Sequence, residues 1–163
     1  MHRHSGGFID NDDILVLVND SERKPDRNKM GIVIDGKLVE NRPLDFEKAL
    51  WLYRYCVDHG IGILAAMDDS EKVYAKDFTF YDQIGIRREP TIYIIDENFD
   101  PTDFGTIYKL YTATTEEERK KLPFPEELGY VNFEPDYTIV QHDDKRAGLY
   151  RMLELLGVDR PVP

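Results

Sequence analysis

The alternation of apolar and polar positions divides the chain into short elements. Ile14-Leu15-Val16-Leu17-Val18 is an unbroken apolar run of strand length, as expected of a buried strand. Asn19–Arg27 follows with nine polar residues or Pro. That stretch reads as a solvated loop and separates an N-terminal arm, 1–27, from a main domain, 28–163. Ile32-Val33-Ile34 and Leu38-Val39 flank Asp35-Gly36-Lys37, a hairpin signal because Gly tolerates positive φ. Pro43 and Asp45 then open a helix in which Phe46, Ala49, Leu50, Tyr53 and Val57 form one apolar stripe, with His59 and Gly60 at its end. Ile61–Met67 and Val73-Tyr74 read as strands across a polar turn, and 78–86 as a short helix or a loop. Thr91–Ile95, Thr106–Tyr111 and Tyr137–Val140 are rich in β-branched and aromatic residues, hence strands. Thr114 and Thr115 precede Glu117 and Glu118 at capping-box spacing and open a short helix. Asp143 or Asp144 caps a last helix, whose Leu149, Met152, Leu153 and Leu156 share a face. The order predicts an α+β fold, a mostly antiparallel sheet with helices on one face.

Composition narrows the function classes. The chain has 163 residues, one ordinary domain's length, with 32 Asp and Glu against 21 Lys and Arg and a net charge of −11. Direct nucleic-acid binding needs a cationic footprint, so DNA and RNA are poor partners, as is an anionic membrane. No apolar run approaches the roughly 20 residues of a membrane helix, and Met1–Gly7 leads into Asp10–Asp13 without a secretory core. Cys56 is the single cysteine, so no internal disulfide forms and a cytoplasmic location is expected.

Several strings resemble the cap domain of Cof-type haloacid-dehalogenase (HAD) superfamily phosphatases. They are Gly31–Val39 with Arg42-Pro43-Leu44, the helix ending Asp58-His59-Gly60-Ile61, Ile63-Leu64 with Val73-Tyr74, Ile107–Leu110, and Asp144–Leu149 with Leu155–Val158. The resemblance covers roughly 28–158. It implies Mg²⁺-dependent phosphoester chemistry by an Asp nucleophile and a second Asp two residues on. The matching spacing is Asp10-x-Asp12, with Lys145 where such enzymes present a catalytic lysine. Under this reading Asp10 is the nucleophile, Asp12 the acid/base, both hold Mg²⁺, and Lys145 is the phosphate-side cation. However, Asp13 and Ile14 stand where that motif has Gly and Thr, and residues 1–27 are too few for a catalytic sheet. A cap without its catalytic body is the expectation.

Other constellations have plain structural explanations. An EF-hand counted from Asp10 would put Leu15 and Ser21 at its Gly and Glu positions, so it fails. His142-Asp143 lacks the further histidines of metal phosphohydrolases, and His2-x-His4 sits at a terminus. Pro135-Asp136 with Asp143-x-Lys145 mimics a nuclease signature on an acidic chain. Cys56 reads as buried filler. Ten Tyr and eight Phe serve a core or a protein interface. The leading expectation is a non-catalytic binding or assembly module that meets a protein partner or a second copy and needs no cofactor. The alternatives are a Mg²⁺-dependent phosphoester hydrolase and an acidic decoy of a nucleic-acid-binding protein.

Overall fold

The computed structural model describes residues 14–18, 31–35, 37–68, 72–85, 92–120, 128–142 and 145–158. Its strands are β1 (Ile14–Val18), β2 (Gly31–Ile34), β3 (Lys37–Asn41), β4 (Ile63–Ala66), β5 (Lys72–Ala75), β6 (Ile92–Asp96), β7 (Lys109–Thr112), β8 (Tyr130–Phe133) and β9 (Thr138–Gln141). The helices are α1 (Phe46–Asp58), α2 (Thr79–Ile84), α3 (Glu116–Arg119) and α4 (Lys145–Leu155). Seven strands form one sheet in the order β1-β6-β5-β4-β7-β9-β8, while β2 and β3 pair as a separate hairpin. Every neighbouring pair in the sheet is antiparallel except β5–β6. The chain thus has the α+β fold and mostly antiparallel sheet expected of it.

The period of two in β4 places the layers. Ile63 and Ala65 point to one face and Leu64 and Ala66 to the other, and all four are buried. α1 covers the first face. Its N-cap is Asp45, whose carboxylate accepts the Lys48 N–H at 3.0 Å. The stripe read from the sequence is widened by Leu52 and Cys56, both fully buried among Ile63, Ala65, Leu110 and Val140. The expectation of helices on one face is corrected here: the short α2 lies on the opposite face and buries Phe80 against Leu64, Ala66, Val73 and Tyr93, because β4 is apolar on both sides. This stretch, whose mixed periodicity fits a short helix or a loop, lies in the crossover that the parallel β5–β6 pair requires.

Two glycines permit the close packing at the end of α1. Gly60 has a φ of 66° and reverses the chain after the C-cap His59. At Gly62 a Cβ would lie 2.3 Å from the Phe80 Cα, so only glycine lets α2 approach β4 this closely. Gln83 braces the loop from the other side, accepting the Gly62 N–H at 2.8 Å and donating to the Gly60 carbonyl at 3.0 Å.

Three further features complete the picture. Tyr130–Phe133 is a strand that its composition did not announce; it forms a hairpin with β9, closed by the Glu134 N–H to the Tyr137 carbonyl at 2.9 Å. The capping box falls on Thr115 and Glu118, and the helix behind it is only four residues long. Among the described residues no helix is long and apolar enough to cross a membrane.

Candidate functional site

Asp10 and Asp12, the expected nucleophile, acid/base and Mg²⁺ ligands, lie outside the described residues. Lys145 is the first residue of α4. The crossings between the main sheet and the β2–β3 hairpin with α4, at Pro43-Leu44 and at His142, lie side by side just before that position. The Leu44 N–H donates to the Ile107 carbonyl at 2.8 Å. His142 Nδ1 donates to the Pro43 carbonyl at 3.2 Å. α4 then runs against the β2–β3 hairpin, held by Arg151 Nε on a Glu40 carboxylate oxygen at 2.8 Å. His142 is thereby a turn residue that ties the two crossings together. Among the described residues no three His, Cys, Asp or Glu side chains converge to hold a metal.

A cavity of about 30 Å³ sits between α1 and the start of α2, lined by Tyr53, Gly60, Ile61, Ile63, Lys76 and Asp77 among others. That volume holds about one water molecule and excludes a phosphate or a sugar. The Tyr53 hydroxyl is buried there without a well-formed hydrogen bond. Burial, followed by the negative charges of Asp77 and Asp100, raises its pKa well above that of an ordinary phenol. It stays a neutral phenol at any physiological pH, suited to a structural water and not to proton transfer. Burial likewise pushes the Cys56 thiol up to about 12, which removes it as a nucleophile. At the surface, Asp100 is held below the usual carboxylate range, first by the Thr102 N–H and then by the Thr102 hydroxyl.

Among the described residues two surfaces stand out. On the hairpin–α4 unit, Leu38, Val39, Leu149, Leu155, Leu156 and Val158 are each 41–51% exposed. On the outward side of α1, Trp51, Tyr55 and His59 form a stacked ladder. The Trp51 and Tyr55 rings lie 5.3 Å apart at 20°, and those of Tyr55 and His59 3.9 Å apart at 18°. Their i, i+4, i+8 spacing is visible in the sequence, but it falls beside the apolar stripe that drew the helix reading. The other aromatic groups mostly serve the core. Phe99 is buried, stacks on Tyr74 at 5.3 Å and meets Tyr53 edge-on at 5.7 Å.

With this geometry the fold can be compared: it is similar to part of the fold of solved HAD superfamily phosphotransferases. A structure from a phosphoryl-transfer superfamily with a conserved trigonal-bipyramidal intermediate matches with a TM-score of 0.59 at 14% identity, over 81% of this chain and 51% of that one. A sugar phosphatase of HAD subclass IIB matches with a TM-score of 0.56 at 14% identity, over 78% of this chain and 50% of that one. The chain therefore spans about half the length of the solved structures it matches. No family model and no curated protein sequence matches it. The likeness read from scattered strings in the sequence is thus matched by the fold.

Proposed function

We propose that this chain is a non-catalytic, HAD-cap-like binding or assembly module that acts through protein–protein contacts. The observation that carries this reading is the hairpin–α4 unit, where six large aliphatic side chains stand 41–51% exposed on β3, on α4 and just after it. Scattered exposed leucines are ordinary, but apolar side chains gathered on one small unit favour a contact surface. Correspondence to about half of a HAD phosphotransferase structure supports the same reading.

A second reading, a Mg²⁺-dependent phosphoester hydrolase, is favoured by the shared fold itself. It assigns Asp10 as nucleophile, Asp12 as acid/base, both as Mg²⁺ ligands, and Lys145 as the cation beside the phosphate. One pair of experiments separates the two. The module reading expects aryl phosphate hydrolysis with Mg²⁺ no faster than that of Asp10→Asn. It also expects sedimentation to show self-association or capture of a protein partner, lost in a Leu149→Glu/Leu156→Glu variant. Mg²⁺-dependent turnover abolished by Asp10→Asn and by Lys145→Ala would replace it with the hydrolase.

A further inference from the structure

The aromatic ladder on α1 has a surface chemistry of its own. Trp51 ends the ladder and is 43% exposed, and among the described residues the one ring stacked on it is that of Tyr55, so part of its indole surface is within reach of a ligand. An indole face is the strongest side-chain site for a cation, which it attracts through the ring quadrupole. The charges around it favour the same sign. Glu47 lies one turn before Trp51 and Asp58 one turn after Arg54, both exposed, and among the described residues neither makes an ion pair. Arg54, the cation on that side of the helix, is engaged by Asp100 at 3.4 Å. Lys48 is half-buried and has contacts of its own. The chain as a whole carries −11, which draws basic partners from a distance.

We propose that the Trp51–Tyr55–His59 ladder is a docking ridge for a basic segment of a partner protein. An arginine guanidinium covers the exposed indole surface of Trp51, and neighbouring basic side chains pair with Glu47 and Asp58. A convex ridge offers no enclosure for a sugar, and the acidity of the chain opposes a nucleic-acid base stacking there with its phosphates. The proposal rests on the reading of the chain as a protein-contact module, and it names the chemistry of one partner surface.

Trp51 is the single tryptophan of the chain, so its fluorescence reports this ridge directly. The probe is an acetylated, amidated tetra-arginine peptide titrated into the full chain at low salt. The expected result is a saturable change in emission, weakened about tenfold in a Glu47→Gln/Asp58→Asn variant, the size expected for losing two exposed charge pairs at low salt. That variant keeps the tryptophan and the buried face of α1. The proposal is overturned by an unchanged emission, by an equal response to a tetraglycine peptide, or by undiminished binding in the variant. An emission change on concentrating the protein alone would assign the ridge to a second copy and overturn it as well. Hydrolytic turnover would defeat the module reading without altering the titration, whereas a silent Trp51 would defeat the ridge without producing turnover.

Discussion

The main sheet and the hairpin–α4 unit are built from similar residues but differ in how their apolar faces are used. In the sheet, the strands are flanked by neighbours and layers. β4 is buried at every position, with α1 on one side and α2 on the other. In the hairpin, β3 has an exposed residue at four of its five positions, and α4 leaves Leu149 and Leu155 largely in solvent. A two-stranded hairpin is marginal on its own, and one helix cannot cover both of its faces. The sheet is where stability resides, and the small unit is where apolar surface remains available for contact.

Substitutions sharpen that contrast, beginning with the largest effect. Leu52→Ala in α1 should lose about 2–5 kcal/mol of stability in urea unfolding, whereas Leu155→Ala in α4 should change it by less than about 0.5 kcal/mol. Equal losses would break the comparison. Gly62→Ala should cost about 1–3 kcal/mol, because its methyl group would meet the α2 backbone. Gly148→Ala, with open space around the new Cβ, should instead stabilise α4 by about 0.5–1 kcal/mol.

Alkaline pH tests the buried side of α1. The Cys56 thiol moves from an ordinary value of 9.0 to about 12 in the folded chain. Between those values the unfolded chain binds fewer protons than the native one, so stability falls with rising pH. The contribution is complete below pH 9 and lost as pH rises through 12. Unfolding measured at pH 8 and pH 10.5 should show a decline that Cys56→Ala reduces. Another small effect belongs to the other region. Arg151→Ala removes a partly exposed pair with Glu40 and should cost under about 1 kcal/mol. It should nevertheless speed amide hydrogen exchange in α4 more than in α1, and the reverse order would contradict the division drawn between them.

Local elements were legible because their signals are local. The α1 stripe, its Asp45 cap and the Thr115–Glu118 box each involve residues within a turn or two of one another. The hairpin was equally plain from Asp35-Gly36 between two apolar runs, and in the structure Asp35 takes a φ of 50°. β8 was not, because Tyr130-Val131-Asn132-Phe133 is short and interrupted by a polar residue, and its strand character comes from pairing with β9. At the candidate sites, spacing nominated Asp10, Asp12 and Lys145, of which the described residues include only Lys145. The aromatic ladder carried a helical spacing from the outset, but spacing alone does not say which side of α1 meets water.

The sequence by itself determined the kind of molecule this is: an acidic α+β domain with most of its helices, strands and turns in their places, and a likeness to HAD phosphatases. Each of those properties is a sum over residues or a pattern within a few of them. Only the tertiary structure decided the strand order, the parallel β5–β6 pair within an otherwise antiparallel sheet, and the division into a buried sheet and an exposed hairpin–α4 unit. Those depend on contacts between residues far apart in the chain. Such contacts repay their closure entropy only when all the layers assemble together.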